Sequence, residues 1–98
     1  MSAFQQILSD PKPVLIDFYA EWCGPCKMMP PILKELKEKM GDTLRVIKID
    51  VDKNPQIASY YQVRGVPTLV LMKEGVVAWK QSGVMDANAL QKTIQNHL

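Results

Sequence analysis

The sequence predicts an α/β domain with a mixed four-stranded sheet and helices on both faces. Three observations predict it. Short apolar runs bounded by turn residues alternate with stretches of helical spacing along the chain. An early strand–helix–strand succession calls for a crossover and a parallel pair. Two late strands stand only three residues apart, at Lys73-Glu74-Gly75, which suits an antiparallel hairpin. At roughly 100–200 residues per domain, the 98 residues make one domain, 1–98.

The elements follow in order. Ser2-Ala3-Phe4-Gln5 has the Ser-x-x-Gln form of a capping box, so a short helix starts at once and runs to about Leu8. Asp10-Pro11-Lys12-Pro13 ends it. Residues 14–19 are apolar apart from Asp17 and read as a strand buried on both faces. Ile32, Leu33, Leu36 and Met40 then recur at helical spacing, with charged residues mostly opposite and Gly41 as the stop. Residues 44–51 are rich in β-branched side chains and read as the second strand. Asn54-Pro55 has the form of an N-cap followed by proline at the first helical position, starting a short helix through Tyr61. Residues 68–72 and 76–80 are the hairpin strands, with Gly75 able to take positive φ in the turn. Asp86 caps a last helix whose inner stripe is Leu90, Ile94 and Leu98.

Composition narrows the function. The net charge of +2 is too weak to argue for nucleic acid or a membrane surface, and lysines 34, 37 and 39 alternate with Glu35 and Glu38. No apolar run approaches the ~20 residues that span a bilayer. The first six residues lack the basic and long apolar regions of an export signal, so the expectation is a soluble cytoplasmic chain.

The chemistry points to Cys23 and Cys26. A disulfide between residues so close in sequence closes too small a loop to stabilise the fold much, so the pair is better explained by reactivity than by stapling. Cys23 follows a strand and a helix begins just after it. Unpaired N–H groups and partial positive charge at the helix start stabilise a thiolate, the nucleophile of disulfide exchange. Cys26, one turn on and more shielded, is placed to resolve the mixed disulfide. Gly24 lets the backbone approach closely and Pro25 stiffens the helix start. Zinc is the competing reading. A closed site needs four ligands, and the chain offers two Cys and the lone His97, itself read as a surface residue. No metal or other cofactor is therefore expected.

With these residues in view, the chain resembles the thioredoxin family. Residues 17–27 (DFYAEWCGPCK), 50–55 (DVDKNP) and 63–68 (VRGVPT) match three family segments in order, and the likeness covers nearly everything from Val14 onward. The resemblance implies a thioredoxin fold and a general protein disulfide reductase, acting on disulfide-containing proteins and recharged by a thioredoxin-reductase-type donor. An oxidase or isomerase, or a non-catalytic binding module, are the alternatives. It also implies roles. Asp17 becomes a buried acid behind the cysteines, its pKa raised by burial, that takes the Cys26 proton. Lys48 tunes that acid. Pro67 becomes a cis-proline facing the cysteines, with Val66 offering its backbone to an extended substrate. Trp22, Gly24, Pro25, Gly65, Val66, Gly83 and Val84 form a shallow apolar surface, with Trp22 at its rim. Trp79 packs in the core or on a sheet face.

The chain departs from the family pattern at three places. Members usually carry a strand before the first helix; the capping box at Ser2 leaves no room for it. Four strands are expected in the order second-first-third-fourth, with strand 44–51 at an exposed edge, in a chain otherwise expected to be a monomer. Tyr19 stands where tryptophan is common; its hydroxyl could reach the site or the residue be core, and core is the favoured reading. Pro30-Pro31 doubles a usual single proline, so the carbonyls of Cys26 and Lys27 lose their helical partners and the helix bends.

Overall fold

The described residues form four strands and four α-helices, and the sheet separates two apolar layers. The computed structural model describes residues 3–98. The helices are α1 (Ala3–Leu8), α2 (Met29–Met40), α3 (Pro55–Tyr60) and α4 (Ala87–Asn96). The strands are β1 (Val14–Tyr19), β2 (Arg45–Asp50), β3 (Thr68–Lys73) and β4 (Val76–Ser82). Their order is β2-β1-β3-β4, with β1 parallel to β2 and antiparallel to β3, and with β3 antiparallel to β4. The expected mixed sheet, strand order and exposed β2 edge are all present. No helix among the described residues is long and apolar enough to cross a membrane.

The two-residue period of β1 divides the core. Val14, Ile16 and Phe18 face one layer, where Leu8, Ile49, Val70 and Met72 are buried and Phe4, Ile7, Ile57 and Tyr61 close over them from α1 and α3. Leu15 faces the other, where Met29, Leu33, Leu36 and Met40 of α2 meet Ala87, Leu90 and Ile94 of α4. Burial on both faces is why β1 reads as a nearly unbroken apolar run. Trp79 is half-buried against the α2–α4 layer, as expected of a residue on a sheet face.

The turns account for the boundaries. Glu74 and Gly75 both have positive φ, 52° and 82°, and join Lys73 to Val76 as a two-residue hairpin turn. Gly75 was expected to take this conformation; Glu74 was not. The pairing then skips Ala78, passing from Met72–Val77 to Leu71–Trp79, which is a β-bulge. The Asp86 side chain accepts a hydrogen bond from the Ala89 N–H at 2.8 Å, the predicted cap of α4.

Several expectations need correction. Leu98 is not on the inner stripe of α4: the helix stops at Asn96 and Leu98 is half-exposed, while Ala87 fills the inner face at the other end. Asn54 stands at the N-cap of α3 with Pro55 next, as expected, and its carbonyl accepts from Ala58 N–H, but its side chain makes no capping bond. Its amide instead donates backwards to the Asp50 carbonyl at 3.0 Å, in a turn where the Asp50 carboxylate accepts from Asp52 N–H and Lys53 N–H. Strand β2 is shorter than the 44–51 expected, and a 3-10 turn, Gly41–Thr43, leads into it. The Ser2 capping box lies outside the described residues.

Candidate active site

The cysteines sit where β1 hands over to α2. Residues 20–24 form the turn, and a 3-10 turn, Pro25–Met28, precedes the α-helix. The proline doublet explains that tight turn. Pro30 and Pro31 have no N–H to offer the carbonyls of Cys26 and Lys27 four residues back. The Cys26 carbonyl is not left orphaned, however: it accepts from the Met29 N–H, three residues on. The loss expected from the doublet is thus partly made good by 3-10 bonding.

Cys23 and Cys26 are joined as a disulfide with their Cα atoms 5.3 Å apart. The Cys26 N–H donates to Cys23 Sγ at 3.2 Å, a donor at the helix start directed at this sulfur. Cys23 Sγ also lies 3.6 Å from the Val66 carbonyl oxygen. The sequence reading made Cys26 the more shielded of the two. In the disulfide both are buried, at 4% and 5% exposure, packed among Tyr19, Ala20, Val51 and Val66.

Val66 reaches this position through the loop before β3. The Val66–Pro67 bond is cis, and the Pro67 carbonyl accepts from the Gly83 N–H at 2.8 Å. That bond needs Gly83 at φ 100°, a conformation that favours glycine. Gly65 and Gly83 are exposed and Val66 is half-buried beside the cysteines. Val84 is half-buried, packing one side against the α2–α4 layer.

Trp22 is 72% exposed at the rim, and its indole Nε1–H donates to Asp52 Oδ2 at 2.8 Å. Asp52 is a contact the sequence reading missed. Its signal was the pair of acids, Asp50 and Asp52, just before Asn54-Pro55. Tyr19 lies nearer the site than the favoured core reading placed it. It is half-buried and packs against Ala20, Cys23 and Cys26 rather than in either large layer, because it is the last residue of β1 and the sheet's cover ends there.

Asp17 stands on the face of β1 that carries Leu15 and is only 2% exposed. Its Oδ1 has no hydrogen-bond partner among the described residues. Burial pushes its pKa up from 3.8 to about 6, and the Lys48 ammonium partly offsets the rise. Lys48 is its direct neighbour in the β1–β2 register and is exposed. A groove of about 610 Å³ between α1 and α3, lined by Phe4, Leu8, Ile57, Tyr60 and Tyr61 among others, includes none of these residues.

The family model of thioredoxin matches residues 1–96. The chain belongs to the thioredoxin family. It is 48% identical over 85 residues to the thioredoxin of Bacillus subtilis, covering 87% of this chain and 82% of that protein. It is 45% identical over 98 residues to the chloroplastic thioredoxin Y of Oryza sativa, covering 99% of this chain but only 58% of the rice protein. A solved structure of a thioredoxin variant from Halobacterium salinarum superposes with a TM-score of 0.90 at 43% identity, covering 99% of this chain and 84% of that one. The Cys23–Cys26 centre of this thioredoxin domain is accordingly a dithiol–disulfide oxidoreductase centre.

Proposed function

We propose that this thioredoxin domain is a general protein disulfide reductase that carries electrons from a thioredoxin-reductase-type donor to protein disulfides in the cytoplasm. The observation that carries the reading is the short contact of Cys23 Sγ with the Cys26 N–H, beside the Val66 carbonyl. A donor aimed at that sulfur favours its thiolate, so Cys23 is the nucleophile.

The steps balance as two electrons from one dithiol. The Cys23 thiolate attacks a substrate disulfide, forms a mixed disulfide and expels one substrate thiolate. Cys26 then loses its proton to the Asp17 carboxylate and attacks Cys23 Sγ. The second substrate thiol leaves, and Cys23–Cys26 becomes a disulfide. With a pKa of about 6, Asp17 is mostly ionised at neutral pH and can take that proton. Lys48 limits how far burial raises it. An extended substrate segment lies along Val66 and cis-Pro67, hydrogen-bonding the Val66 backbone. Trp22, Gly24, Pro25, Gly65, Gly83 and Val84 provide a shallow surface that suits many polypeptides. One chain carries every residue of this site.

Reduction of a model protein disulfide, with dithiothreitol as electron source, tests the reading. Cys23→Ser should abolish catalysis, and activity surviving that change would overturn the assignment. The reduction potential tests direction. A reductase should lie well below the roughly −180 mV of isomerases; a value near about −120 mV would make the protein an oxidant instead.

A further inference from the structure

The edge of the sheet carries an inference independent of the redox centre. Among the described residues, strand β2 has β1 on one side and no strand on the other. In a parallel pair, both main-chain groups of a residue point to the same side. Arg45 N–H bonds the Pro13 carbonyl and Val51 N–H bonds the Tyr19 carbonyl, so the odd-numbered residues of β2 face β1. The N–H and C=O groups of the even-numbered residues therefore point outward. At the ends of the strand the outward carbonyls are taken: that of Leu44 by Lys37 Nζ, and that of Asp50 by Asn54. Between them, Val46 and Lys48 are left with two donors and two acceptors directed away from the sheet.

We propose that a second copy of this chain pairs at this edge, antiparallel, about a two-fold axis at Ile47. The free groups select that register. Opposing residues in such a pair must both face outward to exchange hydrogen bonds. With Ile47 opposite its own mate, Val46 lies opposite the mate's Lys48, and Lys48 opposite the mate's Val46. All four free groups on each copy are then used, in four main-chain hydrogen bonds. Sliding by two residues one way sets Lys48 against its own mate, a like-charge pair. Sliding the other way sets it against Leu44, whose carbonyl is already occupied.

The side chains fit the same register. Val46 and Ile47 are half-buried apolar residues, one over each layer of the core. The alkyl stem of Lys48 covers the mate's Val46 while its ammonium stays at the rim. Arg45 meets Ile49, so no charge opposes a like charge. The sheet becomes one of eight strands.

Sedimentation of the full chain up to about 1 mM, the weak end of specific association, tests the proposal. The weight-average mass should rise from one chain toward two. Val46→Pro removes an N–H that the monomer directs to solvent, a position where edge strands accept proline. It should keep the fold by circular dichroism and sediment as a monomer throughout. In a Cys23→Ser/Cys26→Ser background, Ile47→Cys should cross-link to its own mate under mild oxidation, since residues at such a non-hydrogen-bonded pair approach to about 4.5 Å between Cα atoms. Lys48→Cys in the same background should cross-link far less. A parent chain that stays monomeric at about 1 mM, a dimer indifferent to Val46→Pro, or equal cross-linking at 47 and 48 would each overturn the proposal.

Discussion

Replacing Asp17 with asparagine tests the physical argument about the buried acid. In the disulfide form, burial raises this carboxyl from 3.8 to about 6. The folded chain thus holds this proton more tightly than the unfolded chain does. Protonated Asp17 stabilises the fold fully below about pH 4, and that stability is lost as pH rises through about 6. A shift of about 2 units corresponds to about 3 kcal/mol in full, of which about 2 falls between pH 4.5 and 7.5. Asp10 shifts the opposite way, held low by its bond from the Lys12 N–H, and acts below this window. Tyr61, raised by burial, acts above it. Urea unfolding of oxidised parent and Asp17→Asn at both pH values isolates the effect, because the pH-independent cost of the amide cancels in the difference. With an m-value of about 1.5 kcal/mol/M, the variant's midpoint should gain on the parent's by about 1 M between pH 4.5 and 7.5. A difference that stays flat across the window would refute the desolvation argument.

Other changes have equally definite outcomes. Lys48→Met should raise the apparent pKa of Asp17 above that of the parent, read from the carboxyl chemical shift, since it removes the charge that offsets burial. Cys26→Ser should accumulate mixed disulfides with substrate proteins on non-reducing gels, because the first exchange proceeds and the second cannot. Asp86→Ala should cost about 1 kcal/mol in chemical denaturation through loss of the α4 cap. Phe18→Ala, at a fully buried position, should cost about 3–5 kcal/mol by the same measurement.

Much of this structure was legible because local chemistry and global fold agree. Val14–Tyr19 carries no polar residue except Asp17, so its burial on both faces followed from the run itself. Leu33, Leu36 and Met40 declared the inner face of α2 by spacing. The cis bond before Pro67 was different: nothing local distinguishes it, and only the resemblance to a family implied it. What stayed hidden depended on partners distant in sequence or on which way a side chain turns. Asp52 binds Trp22 across thirty positions. Asn54 has the right type and place for a cap, yet its amide is turned back to donate to the Asp50 carbonyl and its oxygen accepts no helical N–H. Leu98 continued the stripe by arithmetic, but the helix ended first.

The bond from Gly83 N–H to the Pro67 carbonyl has an evolutionary consequence. It joins two loops through main-chain atoms alone, and the contacts of Cys23 Sγ with the Cys26 N–H and the Val66 carbonyl also reach only main-chain atoms of their partners. Rim side chains such as Trp22, Val66 and Val84 can therefore change without dismantling the frame that holds the sulfurs. Descendants of one ancestor can diversify their clientele while the reacting atoms stay in register, and a designer can graft new rim residues here for the same reason.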